Sequence, residues 1–342
     1  MGSRGPRWPE MRRLAAGADV TARGVTLVVL SRRARAAAPV KIEWLAHAPL
    51  PHDALLGAEI VDRAALVAAL RDLFGRLPLG CDSAKLRCAM ALPVGATMIA
   101  SLPLTASPHM VQCVDGDSRM LAALEPAVLA EAERITGVER HELAVDWCLE
   151  PLPGGMGDPG DPGDQRCRAP HGSRVTITSA PRQHLETRIE CAAMAGLTLC
   201  AIDGDAHAAL RAMRQAATLE LSPDDAWFAL WVGPDGVHGW YVADGQLVRE
   251  MRYPALEHAD LVEALRYLRD GETAGCALIA GNVHMLGDAH LSAADIGRVL
   301  GCPVLPFECA TFAHADESLD VALLREPDCA VAFGLALRGV SE

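Results

Sequence analysis

With 342 residues, the chain is longer than one hydrophobic core of ordinary size supports, so two or three subdomains are expected. Half of it is apolar (51%) and 22% is charged, yet no stretch approaches the ~20 uninterrupted apolar residues of a membrane span, and a soluble globular chain is predicted. The formal net charge of -13 argues against a nucleic-acid partner, because neutralisation of phosphates by Lys and Arg supplies most of that affinity.

Residues 1–14 carry arginines and prolines without the apolar core of a secretory signal and read as a flexible tail. Apolar periodicity then gives three strands at 17–21, 24–31 and 40–48. Asp62 is placed to cap a helix that carries Leu66, Val67, Leu70, Leu73, Phe74 and Leu77 at helical spacing. Strands are expected at 86–92 and 97–104, a helix opening at Pro126 and running to 135, and a strand at 143–149. Nearly every residue from 153 to 173 is a turn former or polar, too poor in apolar surface to offset the entropy of ordering, so a disordered loop is expected there. Beyond it come a strand at 175–179, a helix opened by Pro181 that presents Leu185, Ile189 and Ala193 on one face, a strand at 197–202, and a helix from Asp205. Three further strands at 227–232, 237–243 and 246–252 are joined by turns at 234–236 and 244–245. A helix (261–268), a strand (277–280), a helix capped by Ser292 and Asp295, and a strand at 304–305 complete the pattern. The eleven cysteines are odd in number and contain no C-x-x-C pair, which excludes a zinc or disulfide framework and reads as buried free thiols of a reducing cytoplasm.

The order of three strands, helix, strand, helix occurs twice, with an insertion in the first copy. The expected fold is therefore α/β and actin-like. Its first subdomain comprises 15–49 and 174–217, closed by a C-terminal helix at 325–339, its inserted subdomain 50–152, and its second subdomain 218–324. Residues 17–26, G-A-D-V-T-A-R-G-V-T, have the layout of the first phosphate loop of such a fold: a strand bearing Asp19, a tight turn before Gly24, and a second strand. That loop normally offers a glycine, so that backbone N–H groups reach a phosphate, and a cation to meet its charge. Here Thr21 fills the glycine slot and Thr26 the cation slot, with Arg23 at the turn as the stand-in.

In order and spacing the motifs resemble the PilM family of type IV pilus assembly proteins, an actin-like branch related to FtsA. The resemblance is carried by G-A-D-V at 17–20, A-P-L-P at 48–51 with I-V-D at 60–62, A-M-A-L-P-V-G-A-T-M-I at 89–99 and L-A-E-A-E-R-I-T-G at 129–137. It continues through L-A-V-D-W at 143–147, A-P-R-Q at 180–183, M-A-G-L at 194–197, I-D-G-D-A-H-A-A-L-R-A at 202–212 and A-V-A-F-G-L-A-L-R at 330–338. It implies a scaffold of the pilus assembly machine, serving pilus biogenesis and twitching motility. Such a protein is cytoplasmic and peripheral at the inner membrane. It would bind the N-terminal tail of a PilN-like membrane protein in a groove lined by 89–104 and 143–149, with pilus motor ATPases as further partners.

The departures concern the nucleotide. Where nucleotide-binding members of the family carry D-x-G in the second phosphate loop, this chain has Trp231-Val232-Gly233, and in place of a double glycine on the adenosine side it has Ala280-Gly281-Asn282. The candidate site is therefore a degenerate one made of Asp19, Thr21, Gly24, Gly233, Gly281 and Asn282, with ATP and magnesium bound weakly or not at all and no catalytic residue. Asp203-Gly204-Asp205-Ala206-His207 looks like a metal-ligand run, but Asp205 reads as a helix cap, and His284 and His290 read as solvent-facing. No G-x-S-x-G, H-E-x-x-H or G-x-x-x-x-G-K-[ST] occurs. The alternative is a diverged sugar kinase or phosphatase of the same superfamily, or a secretion-system paralogue. A kinase needs carboxylates that hold magnesium against the phosphates, and Trp231 removes one of them.

Overall fold

The computed structural model describes residues 12–33, 38–81, 86–103, 117–151, 173–254, 258–313 and 319–341. In chain order they form β1 (Arg12–Thr21), β2 (Gly24–Arg33), β3 (Lys41–Pro49), the short hairpin β4 (Leu55–Leu56) and β5 (Glu59–Ile60), and α1 (Arg63–Gly75). Next come β6 (Arg87–Leu92), β7 (Met98–Pro103), α2 (Asp117–Thr136), β8 (Leu143–Pro151), β9 (Ser173–Pro181), α3 (Arg182–Ala195), β10 (Thr198–Gly204) and α4 (Asp205–Glu220). The second half gives β11 (Trp227–Gly233), β12 (Gly236–Ala243), β13 (Gln246–Tyr253), α5 (His258–Arg269), β14 (Cys276–Gly281), α6 (Ala293–Leu300), β15 (Val304–Pro306), the single turn α7 (Val321–Leu324) and α8 (Ala330–Ser341).

Two compact units result, Met1–Val94 with Thr187–Glu342, and Gly95–Glu186. The larger contains two five-stranded sheets of one topology, β10-β6-β1-β2-β3 and β15-β14-β11-β12-β13. In each, the first three strands form an antiparallel meander, and the fourth and fifth pair in parallel on the far side of the first. The duplication read from the sequence is thus present strand for strand.

The two-residue period of the strands divides their side chains between cores. On the first sheet Leu27 and Val29 join Leu66, Leu70 and Leu73 of α1, whereas Val28 and Leu30 point the other way. On the second sheet Phe228, Leu230 and Val232 join Leu261 and Leu265 of α5, whereas Trp227, Ala229 and Trp231 point the other way. The two remaining faces share one core with α4 and α8. There the backbones come unusually close: a Cβ on Gly17 would strike Ala332 and Ala336 of α8, and one on Gly334 would strike the Ala208 carbonyl of α4.

The smaller unit is the antiparallel sheet β7-β9-β8 with α2 on one face. Leu124, Val128 and Ala132, spaced by four, meet Leu143, Val175 and Ile177.

Several expectations are corrected. The tail gives way to β1 at Arg12, whose guanidinium pairs with Glu43; residues 1–11 lie outside the described residues. The inserted unit is Gly95–Glu186 and not 50–152, because β6 enters the first sheet between β1 and β10 and carries α1 with it, while β9 leaves that sheet to pair with β7 and β8. The loop expected at 153–173 falls outside the described residues except for Ser173, which opens β9. Helix α2 starts nine residues before Pro126, and burial of the Leu124, Val128 and Ala132 stripe outweighs the lost backbone bond. Pro181 ends β9, and α3 buries Thr187, Arg188, Cys191 and Ala192 instead of Leu185, Ile189 and Ala193; Ile189 is 51% exposed. The closing helix is α8, at 330–341. Of nine described cysteines, all free, Cys148 and Cys200 are exposed and Cys81 half-buried. The caps hold: Asp62 accepts from the Ala65 N–H, and Ser292 and Asp295 form a reciprocal capping box.

Backbone contact at Gly334 makes a volume prediction. Gly334→Leu is expected to cost about 3 kcal/mol, the upper end of the usual overpacking range, because carbonyl backbone and not a flexible side chain stands in the way. An unchanged urea midpoint would refute the close packing.

Candidate functional site

The carboxyl ends of β1, β6, β10, β11 and β14 converge on one cleft of about 620 Å³ in the larger unit. Its walls are the β1–β2 turn, the ends of β6 and β14, the first residue of α4, the β11–β12 turn and the segment leading into α8. Asp19, Thr21, Gly233, Gly281 and Asn282 all line it, so five of the six residues chosen from the sequence come together. Gly24 does not. It pairs with Thr21 across the hairpin, and its positive φ of 153° and packing against the Ala48 carbonyl and the His47 ring explain the glycine without a ligand.

The polar groups of the first turn are spent on each other. Thr21 Oγ1 donates to the Gly24 carbonyl at 3.2 Å and accepts from the Arg23 N–H at 3.3 Å. Thr26, in the cation slot, has its hydroxyl 3.1 Å from His47 Nδ1, and burial holds that imidazole below its ordinary pKa. Arg23, the stand-in for a phosphate partner, forms an ion pair with Asp328 just ahead of α8. At the second turn the Trp231 indole is buried and lies against Gly233, with Gly281 also in contact, and its edge meets the His238 ring at a centroid distance of 5.6 Å. Gly281 needs its positive φ of 87° because its neighbour Asn282 returns an N–H to the Val232 carbonyl at 2.8 Å.

At the bottom of the cleft two carboxyls, Asp19 and Asp205, are more than nine-tenths buried. Burial raises Asp19 from 3.8 to about 7, against the pull of Arg23, Arg188 and the Val20 N–H. Asp205 is likewise pushed well up by burial and then by Asp19, against hydrogen bonds from Ala206 and Val94. Asp205 is the first residue of α4, after Gly204 at the cap position, so the capping role read from the sequence is corrected. Arg188 is entirely buried. Its Nε donates to the Ala91 carbonyl at 2.9 Å, and both terminal nitrogens stand 3.3 Å from the Ala58 carbonyl. Burial lowers its pKa to about 10, which leaves it charged at neutral pH. Sequence reasoning missed Arg188, His47 and Asp328; the small residues Cys191 and Ala192 beside Arg188 were the only local signal that this face of α3 is covered.

The actin-like plan implies a magnesium nucleotide, and the residues present do not fit one. Turn donors are engaged internally, an indole covers the second phosphate turn, and the rim carries Asp235, Glu326 and Asp328 against a single arginine that is already paired. Within 203–207, Asp203 is engaged by Arg211 at 2.8 Å and by Arg338 at 3.3 Å. His290 is exposed as expected, whereas the exposed His284 lies on the cleft wall.

No protein-family profile matches the chain, and no curated protein matches it in sequence. Solved structures do match. A chain of the PilM-PilN type IV pilus biogenesis complex superposes with a TM-score of 0.68 at 19% identity, covering 98% of this chain and 100% of that one. The fold is actin-like. Looser matches include the ethanolamine utilization protein EutJ from Carboxydothermus hydrogenoformans (TM-score 0.42, 14% identity, 96% of this chain and 90% of that one). Another is the cytoplasmic domain of EpsL, an inner membrane component of the type II secretion system of Vibrio cholerae (0.43, 9%, 96% and 94%).

The buried carboxyl sets a pH dependence. Between pH 3.8 and about 7 folded Asp19 keeps a proton that the unfolded chain releases, so its contribution to stability falls as pH rises through that window and is level above it. Asp19→Asn has no such slope. The stability of the variant relative to the parent is therefore expected to climb from about pH 4 to 7 and then flatten, read from urea midpoints at each pH. A difference independent of pH would show that Asp19 is not held protonated.

Proposed function

We infer that the chain is a cytoplasmic scaffold of a type IV pilus assembly machine, peripheral at the inner membrane through the N-terminal tail of a PilN-like protein, and that its cleft neither binds nor hydrolyses ATP tightly. The observation that carries this reading is the end-to-end superposition on a chain of the PilM-PilN complex, combined with a cleft whose phosphate-facing positions are filled by side chains. Selection for a nucleotide does not keep an indole over a phosphate turn, whereas retention of a fold as an assembly surface is indifferent to it.

Part of the groove expected from the sequence falls away, because 89–92 lies in β6, hydrogen-bonded on both sides by β1 and β10. Within the inserted unit, β7 and β8 are the outer strands of their sheet, and β7 carries the exposed apolar side chains Met98 and Ile99. An extended tail adding to β7 gains main-chain hydrogen bonds from the strand edge and apolar contact with Ile99.

A peptide copying the N-terminal tail of the cognate PilN-like protein is expected to raise the thermal midpoint, by about 2.7 kcal/mol of linkage at a hundredfold excess over its dissociation constant. Ile99→Asp should abolish that rise with an unchanged circular dichroism spectrum, and millimolar Mg-ATP should leave the midpoint where it is. A nucleotide or sugar that stabilises the protein while the peptide does nothing would replace the scaffold with an enzyme.

A further inference from the structure

We propose that the furrow between α5 and α6, on the face of the second sheet away from the shared core, is a docking site for an acidic segment of a partner protein, whose carboxylates pair with Arg266, Arg269 and Arg298. The furrow belongs to the larger unit and shares no residue with the cleft or with β7.

Helical spacing builds the furrow. Leu261, Leu265 and Leu268 of α5 and Ile296 and Leu300 of α6 are buried in one core over the sheet, so the next stripe round each helix faces the gap between them. On α5 that stripe is Val262, Arg266 and Arg269; on α6 it is Asp295, Arg298 and Val299. Together they line a hollow of about 600 Å³, inside the range of ~300–1,000 Å³ usual for ligand sites.

The charge of the hollow is the reverse of the molecule's. Three guanidiniums stand against one carboxylate, in a chain of net charge -13. Asp295 pairs with Arg298, which leaves Arg266 and Arg269. Arg266 is exposed and has no hydrogen-bond or ion-pair partner among the described residues. Arg269 is held in place: it donates to the Val299 carbonyl at 3.2 Å and lies against Gly301, where a Cβ would stand 3.2 Å from its Cζ, yet its buried Nε has no partner. The carboxylates flanking Gly271 are engaged elsewhere, Asp270 by Arg249 at 3.2 Å and Glu272 by Tyr241 at 3.3 Å.

The occupant follows from these groups. A phosphate is ordinarily cradled by free backbone N–H groups at a helix start. Two of those at the start of α6 are spent, the Ser292 N–H on the Asp295 carboxylate at 2.8 Å and the Asp295 N–H on the Ser292 hydroxyl at 3.2 Å. An anionic bilayer surface is repelled by the net charge and does not reach into a hollow. Carboxylates on flexible side chains do reach it, and guanidiniums take them two bonds at a time, while Val262, Leu291 and Val299 offer apolar contact between the charges.

The probe is a fluorescein-labelled synthetic peptide of Glu-Glu-Leu repeats, with a Gln-Gln-Leu analogue as control, titrated against the full chain at low salt by fluorescence anisotropy. The acidic peptide is expected to bind about tenfold or more tighter than its neutral analogue, and Arg266→Ala to weaken it by about tenfold, as loss of an anchoring arginine does. Arg266→Lys, which keeps the charge and loses the fork, should recover part of that loss. Arg87→Ala, which removes an exposed arginine of the first sheet, should leave binding unchanged. Both positions are exposed, and an unchanged circular dichroism spectrum confirms that the variants fold. Failure of the parent to bind millimolar peptide overturns the proposal, and so do equal losses in Arg266→Ala and Arg87→Ala, which would mean diffuse attraction. Arg266-dependent binding of phosphatidylglycerol vesicles or inorganic phosphate tighter than of the peptide, or Arg266-dependent self-association in sedimentation equilibrium, gives the furrow another occupant and overturns it as well. The tail peptide and Ile99→Asp read the scaffold role separately, so either conclusion can fail alone.

Discussion

The packing of α8 against β1 and α4 is the constraint on which both sheets depend. Apart from Arg338 and the final turn, the helix is buried throughout, and it reaches β1 and α4 at backbone distance because Gly17 and Gly334 present no Cβ at the contacts. That approach fixes the spacing of the two sheets around their common core, and the spacing fixes the cleft. The turns that face each other across it, after β1 and after β11, are simply the carboxyl ends of the two innermost strands. Open α/β sheets place their ligand crevices at such ends whatever chemistry the side chains later supply.

Five of the residues chosen from the sequence converge on this cleft, and side chains at its turns have internal partners: hydroxyl to carbonyl at Thr21, hydroxyl to imidazole at Thr26, guanidinium to carboxylate at Arg23, indole to glycine at Trp231. The loop glycines remain for backbone reasons of their own, positive φ at Gly281 and close approach at Gly24.

What was legible in the sequence followed local physics. The strands of both meanders, the Asp62 cap and the Ser292–Asp295 box depend on neighbours within a few residues, and they were read correctly. The unit boundary was misplaced because the partner of β9 is set by pairing with β7 and β8, more than seventy positions from β7 in sequence, and no local signal distinguishes one sheet from another. The face of α3 was inverted for an electrostatic reason. Periodicity assigns the apolar side to the core, and Arg188 enters the core because the Ala91 and Ala58 carbonyls accept its hydrogen bonds there, leaving Ile189 outside. The five cleft residues were found through motif layout, whereas Arg188, His47 and Asp328 owe their places to the tertiary fold alone.

Because Gly17 and Ala332 touch, the first strand and the last helix are joined across 315 positions of sequence (332 less 17). During synthesis at about 5 to 20 residues per second, roughly 15 to 60 s separate the emergence of β1 from that of its helical partner. Throughout that interval the first sheet can form its hydrogen bonds but not close its inner face, which leaves Val28, Leu30 and Ile42 without the layer that covers them. The larger unit therefore cannot finish folding until α8 has been synthesised.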